Sequence, residues 1–191
     1  MRRTKSIMHP LFVISIILFS VYLHPAYAEN KIKAGMDFPD ILLEGSDCVE
    51  GSQYLGVAND ERYMDLSKIP AKLIIIEFFN VYCPVCQQQA PVGNKLYNII
   101  QRNPDLNKNV RMIAVGIGNR QDEIDAYKKQ HMVKFPVFID PYSKSRNKHG
   151  IGMIPYTVVI NAQRKVLETH LGVIENLDAF VEKISTYSKQ N

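Results

Sequence analysis

Lys72–Phe79 (KLIIIEFF) is almost continuously apolar and rich in isoleucine. That is the pattern of a strand buried on both faces, not of one with a wet side. Three residues later, Cys83-Pro84-Val85-Cys86 opens a helical pattern that runs to about Arg102. Its apolar positions are Ala90, Leu96, Ile99 and Ile100, and Pro91 lies inside it. A strand buried on both faces needs other layers above and below it. Val110–Ile117 (VRMIAVGI) reads as a second buried strand, and Phe135–Ile139, Tyr156–Ile160 and Val166–Leu171 as further strands. Gln121–His131 reads as a polar helix and Asn176–Ser188 as a C-terminal one. Strands alternating with helices predict an α/β layout around a central sheet. Ahead of that core, Gly35–Glu44 is a short extended segment and Gly45–Asp60, which holds Cys48, reads as irregular. Tyr63–Ile69 is a short strand or turn stopped by Pro70.

The first 28 residues read as an address. Arg2, Arg3 and Lys5 precede a 13-residue, mostly apolar run, Leu11–Leu23, and Ala26-Tyr27-Ala28 supplies small residues at a scission point. This is the layout of a secretory signal peptide. Thirteen residues fall short of the ~20 that a spanning helix needs. Cleavage after Ala28 would leave one 163-residue domain, residues 29–191, in an exported compartment such as the periplasm, which permits disulfide chemistry. The alternative is an uncleaved segment that anchors the domain to the membrane. Removing residues 1–28 leaves 20 Lys+Arg against 19 Asp+Glu, so the chain's +4 falls to +1. Nucleic-acid binding needs a clustered excess of cations, and no such partner is expected. Composition, at 46% apolar and 22% charged, excludes a disordered or polytopic membrane chain.

Cysteines three apart on the first turn of a helix can close a small disulfide ring. Cys83 sits at the helix N-terminus, where free N–H groups and the dipole favour a thiolate, which makes it the attacking sulfur. Cys86 lies one turn further in and would resolve the mixed disulfide. Zinc would want a second ligand pair, and the five His and Cys48 show no paired spacing. Haem attachment needs His after the second cysteine, and position 87 is Gln. An inert structural disulfide remains open, although so short a loop is a weak staple. Glu77 lies mid-strand, six residues before Cys83. If buried, it would have a raised pKa and could exchange a proton with the Cys86 thiol; if it faced an edge, it would simply be solvated. Pro155 enters the YTVVI strand, where it cannot donate a ladder bond.

Strand–Cys-Pro-Val-Cys–helix, followed far downstream by Met153-Ile154-Pro155-Tyr156, resembles the thioredoxin superfamily. Glu77 falls where thioredoxins carry a buried acid, and Pro91 where the active-site helix is kinked. The 72 residues from Cys83 to Pro155 exceed a minimal thioredoxin, and the excess holds the helix–strand unit Gln121–Ile139. With GMDFPDILL ahead of the core, this is similar to the TlpA/ResA branch of exported, redoxin-like thiol–disulfide oxidoreductases. The resemblance spans roughly residues 34–187. It implies a thioredoxin-like fold with a mixed central sheet flanked by helices and a redoxin-type insert. It also implies that Pro155 is cis and stands opposite the CxxC, with Ile154 pairing with the substrate backbone.

The activity so implied is exchange with protein disulfides, Cys83 attacking and Cys86 resolving with help from Glu77. Tyr82, Pro84, Val85, Ile154 and Pro155 would contact substrate. The redox-active disulfide Cys83–Cys86 would be the only redox group, with no metal and no other cofactor. A membrane-bound thiol reductant would supply electrons, and reduction of apocytochrome cysteines in cytochrome c maturation is one role in the family. Tyr82 departs from the usual Trp, Gln89 from a Glu, and Asn161–Arg164 from the common Asp/Gly turn. A peroxiredoxin-type thiol peroxidase is an alternative, but it wants Thr at position 80, which is Asn. A binding module with a permanently closed disulfide is another. Cys48 reads best as an inert thiol, His149 and His170 as surface residues, and Gln87-Gln88-Gln89 as plain helix. Copper delivery would need CxxxC. The uncharged Pro-Val dipeptide leans the expectation towards a reductant.

Overall fold

β3 (Leu73–Phe79) lies inside a seven-stranded sheet, and all seven of its residues are buried. β4 (Val110–Ile117) runs parallel to it on one side and β6 (Tyr156–Asn161) antiparallel on the other. Beyond these lie β5 (Val137–Asp140), parallel to β4, and β7 (Val166–Leu171), antiparallel to β6. β1 (Leu42–Glu44) pairs antiparallel with β5 and with β2 (Tyr63–Asp65), which closes that edge. The order across the sheet is β2-β1-β5-β4-β3-β6-β7, so the sheet is mixed, as expected. The computed structural model describes residues 29–58 and 63–190. The expected signal peptide, residues 1–28, lies outside them, as does the end of the segment Gly45–Asp60.

Side chains alternate across β3 and build two cores. Ile74, Ile76 and Phe78 pack with Phe38, Leu43, Leu66 and Phe138 on one face. Leu73, Ile75 and Phe79 pack on the other against three helices: α3 (Pro84–Arg102), α5 (Gln121–His131) and α7 (Leu177–Lys189). Period-2 alternation therefore sends Glu77 to the α3 face. Leu96, Ile100, Ile124, Phe180 and Ile184 supply the helical half of that core. The insert read as Gln121–Ile139 is α5 followed by β5, and it widens the sheet beyond β4.

The segment read as irregular contains two four-residue helices, α1 (Asp47–Glu50) and α2 (Ser52–Leu55). Neither is long enough to show a periodicity, and tertiary contacts hold them. The Asp47 carboxylate accepts from Lys128 Nζ at 2.9 and 2.7 Å and from the Val137 N–H at 2.6 Å. Gln121 Nε2 donates to Ser46 Oγ at 2.9 Å. Tyr54 Oη accepts from the Met112 N–H at 2.9 Å, in the part of β4 that β5 does not reach. The segment thus covers backbone donors that an open sheet edge would leave unpaired. Two further short helices, α4 (Pro104–Asn109) and α6 (Lys144–Asn147), were not expected. Asn103 caps α4 and Pro104 opens it; the Asp140 carboxylate accepts from the Lys144 and Ser145 N–H groups at the start of α6.

Candidate active site

The parallel strands β3, β4 and β5 end at one edge of the sheet, where α/β sheets place their sites. Two asparagines build the platform there. Asn80 Nδ2 donates to the Ile117 carbonyl at 2.7 Å, and its Oδ1 accepts from the Tyr82 N–H at 2.9 Å. Asn119, fully buried, accepts from the Val81 N–H at 3.1 Å. The turn Asn80–Tyr82 is thereby tied to the end of β4. It delivers Cys83 as the N-cap of α3, with Pro84 at the first helical position, where its missing N–H costs nothing.

Cys83 is half-buried and Cys86 fully buried, and both are free thiols here. The Cys86 N–H donates to Cys83 Sγ at 3.3 Å. This is the helix-terminus hydrogen bond that the strand–CxxC–helix order predicts. Burial, and then the contact with Cys83, push the Cys86 thiol far above its ordinary pKa. The outer sulfur can therefore meet a partner, while the inner one is reached only through it. Around them Tyr82, Pro84 and Val85 are exposed, Tyr82 at 71%. Tyr82 donates its phenol proton to Glu123 Oε1 at 2.6 Å. A groove of about 430 Å³ beside the motif is lined by Tyr82, Gln87, Arg120, Glu123 and Gln130 among others.

The Ile154–Pro155 peptide is cis and faces the motif, with the Ile154 carbonyl 3.9 Å from Cys83 Sγ. Ile154 is half-buried and Pro155 buried. The structure therefore brings Cys83, Ile154 and Pro155 together across 71 residues of chain.

Glu77 is 4% exposed, not solvated at an edge. Burial raises its pKa to about 7, against a smaller opposing pull from a hydrogen bond to Gln89. Its charge in turn bears on the Cys86 thiol and on Tyr127, whose hydroxyl donates to the Cys86 carbonyl at 3.2 Å. Glu77 borders a void of about 10 Å³ walled by Phe79, Ala90, Ala114, Tyr127, Val133, Phe135 and Val137. The carboxyl thus faces the sulfur side of the core and not bulk solvent.

Gln89 corrects the reading of Gln87–Gln89 as plain helix. It is fully buried, its Oε1 accepts from the Ile174 N–H at 2.9 Å, and its Nε2 lies 3.4 Å from Glu77 Oε2. With its one acceptor committed to a backbone donor, the amide can offer Glu77 only N–H. Asn80, Asn119 and Gln89 are the site residues that sequence reasoning missed. Their partners lie 37, 38 and 85 residues away, and no local pattern marks them.

Cys48 belongs to the other core. It is 1% exposed, its thiol lies 3.6 Å from the Leu43 carbonyl, and burial raises its pKa to about 11. It shares no face with the dithiol. His149 and His170 are half-buried and each borders a surface groove, and His170 Nε2 lies 2.9 Å from the Val173 carbonyl. No cluster of His, Cys, Asp and Glu suited to a metal occurs among the described residues.

The Redoxin family profile matches residues 33–184. Thiol-disulfide oxidoreductase ResA of Bacillus thuringiensis (strain Al Hakam) is 27% identical over 169 residues, covering 87% of each chain. That of Geobacillus thermodenitrificans is 23% identical over 168 residues, covering 88% of this chain and 86% of the relative. Among solved structures, the thioredoxin domain of a thiol-disulfide oxidoreductase from Bacteroides vulgatus superposes with a TM-score of 0.62 at 15% identity, over 80% of this chain and 98% of that one. A thiol:disulfide interchange protein from Bacteroides sp. gives 0.62 at 12% identity, over 81% and 91%. With the sheet order, the paired thiols and the opposed cis-proline already in place, the chain belongs to the Redoxin family of the thioredoxin superfamily and is a TlpA/ResA-like thiol–disulfide oxidoreductase.

Proposed function

We propose that this oxidoreductase is an exported reductant of protein disulfides that works through the Cys83–Cys86 dithiol. The observation that carries the reading is the asymmetry of the pair: one sulfur accessible beside the Ile154–Pro155 loop, the other buried behind it on the face of the sheet that also buries Glu77. Cys83, as the thiolate, attacks a substrate disulfide. The Cys83–substrate S–S bond forms, the substrate's own S–S bond breaks, and the departing sulfur takes up a proton. Cys86 then gives its proton to Glu77 and attacks Cys83 Sγ. The second substrate thiol leaves, and the protein ends as the Cys83–Cys86 disulfide. Two electrons have passed to the substrate, so a thiol reductant, placed at the membrane in this reading, must restore the dithiol. Glu77 suits the proton transfer because a base works best with a pKa near the working pH.

The Ile154–Pro155 loop would hold an extended substrate backbone beside Cys83, with Tyr82, Pro84 and Val85 forming the other wall. Export rests on the n-region, apolar run and Ala26–Ala28 of the sequence. No helix among the described residues is long and apolar enough to cross a membrane. Apocytochrome cysteines before haem attachment are one substrate class consistent with this chemistry, and the one that the sequence's resemblance to the TlpA/ResA branch implies. A peroxidatic role gains nothing from Asn80, whose side chain is committed to the Ile117 carbonyl and the Tyr82 N–H.

The test is mechanistic trapping. Cys86→Ser should accumulate a mixed disulfide between Cys83 and a polypeptide substrate, and Cys83→Ser should form none. Trapping through Cys86 or Cys48 instead would overturn the assignment.

A further inference from the structure

We infer that Asn30–Ile32 is a strap that positions the cis-proline loop against Cys83, with Asn30 as its positioning residue. The inference rests on the reading that this loop holds substrate beside Cys83. The loop Ile151–Ile154 has no regular structure of its own, so its backbone groups need partners from elsewhere. Asn30 supplies them. Its Oδ1 accepts from the Gly152 N–H at 2.6 Å and from the Met153 N–H at 2.8 Å, and its Nδ2 donates to the Met153 carbonyl at 3.1 Å. One carboxamide thus satisfies three backbone groups of the two residues immediately before Ile154. Asn30 is itself 6% exposed, so these bonds are shielded from competing water.

The next two residues stitch the same loop on either side. The Lys31 N–H donates to the Gly150 carbonyl at 2.9 Å, and the Tyr156 hydroxyl donates to the Ile32 carbonyl. Ile32 is buried in the core face of Phe38 and Phe78 and anchors the strap. At Gly150, φ is +70°, and a Cβ there would lie 2.6–2.8 Å from the Lys31 side chain, so only glycine lets the strap cross so closely. The contacts span 119 to 124 residues, and all of them fall between positions 150 and 156. The start of the domain is therefore fastened to the substrate-facing loop, and the expected scission after Ala28 leaves the fastening intact.

The geometry asks more of Asn30 than stability. The Ile154 carbonyl sits 3.9 Å from Cys83 Sγ, and the bond that precedes it is the one Asn30 holds. Releasing Gly152 and Met153 would let the Ile154 backbone drift relative to the sulfur. A displacement of about 1 Å at a reacting centre costs up to roughly a hundredfold in rate.

The experiment compares the wild-type protein with Asn30→Ala and Asn30→Asp on two disulfides: insulin with dithiothreitol as the electron source, and Ellman's reagent mixed with pre-reduced protein from which dithiothreitol has been removed. Insulin is the polypeptide probe, which must dock its backbone; Ellman's reagent is the small probe, which need only reach Cys83. Asn30→Ala should raise KM for insulin roughly tenfold or more while leaving the rate with Ellman's reagent and the reduction potential within about twofold. Asn30→Asp keeps the acceptor for the Gly152 and Met153 N–H groups but sets a carboxylate oxygen against the Met153 carbonyl, so it should show the same insulin-selective defect. Equal losses on both probes, or wild-type KM in both variants, would overturn the strap. If Asn30→Ala does not fold, the split measured on Asn30→Asp decides. Insulin reduction that survives in the Cys83→Ser variant, with Asn30 intact, would instead refute the underlying reading of the site.

Discussion

Replacing Glu77 by Gln should remove a specific pH dependence from the stability of the reduced protein. In the unfolded chain this carboxyl titrates near 4.5; in the fold, burial holds it at about 7. Below pH 4.5 it is protonated in both states and costs nothing. Between 4.5 and 7 the unfolded chain ionises and the folded one does not, so the unfolded state binds fewer protons and stability falls as pH rises. Above 7 both are ionised and the full cost of the buried charge is felt. Each pH unit between the two values is worth about 1.4 kcal/mol, so the loss amounts to about 3 kcal/mol. Gln has the same shape and can still accept from Gln89, but it does not titrate. Urea unfolding of the reduced protein at pH 4.5 and pH 8 reads the difference. Wild type should lose about 3 kcal/mol more than Glu77→Gln across that interval. Parallel curves would refute the claim that Glu77 is buried as a high-pKa acid, and with it the proposed proton transfer from Cys86.

Gln89→Met should move the midpoint of that stability loss to higher pH, because it removes the N–H that favours the ionised carboxyl; it should also cost about 1–3 kcal/mol for the orphaned Ile174 N–H. The same urea series checks both. Asp47→Ala should cost about 3–5 kcal/mol by stranding Lys128 and the Val137 N–H, while Cys83 chemistry per folded molecule stays unchanged. Thermal unfolding set beside insulin reduction would show it. In the reduced native protein, Ellman's reagent should oxidise the Cys83–Cys86 pair through the accessible Cys83 and leave Cys48 untouched until urea unfolds the chain, since Cys48 is buried with a pKa of about 11 and has no accessible partner sulfur beside it.

The frame of the fold was legible because its parts carry local signals. Leu73–Phe79 is apolar but for Glu77, Val110–Ile117 apolar but for Arg111, and Cys83-Pro84 gives α3 a start that needs no tertiary help. The resemblance then placed Pro155 opposite the dithiol, where the structure puts it. What escaped depends on partners far along the chain. Gln89 looks like one more surface glutamine until Ile174 arrives from 85 residues away to claim its oxygen. Asn30 is an unremarked residue near the expected scission site until Gly152 and Met153 fold over it. Asp47 and Tyr54 sit in a stretch without periodicity, and the backbone donors of β5 and β4 that they satisfy give them their role. Polar residues with non-local partners leave no period to read, and here some of them frame the candidate site while others close the sheet edge.

The central claim is that the Cys83–Cys86 pair gives electrons to protein disulfides. Equilibrating the protein with dithiothreitol and glutathione buffers of known potential, and counting the free Cys83 and Cys86 thiols at each, measures this directly. The account predicts a midpoint more negative than the glutathione poise of roughly −220 to −260 mV. A midpoint near the roughly −120 mV of strong disulfide donors would reverse the direction of the reaction, and a pair that never opens would leave no enzyme at this site.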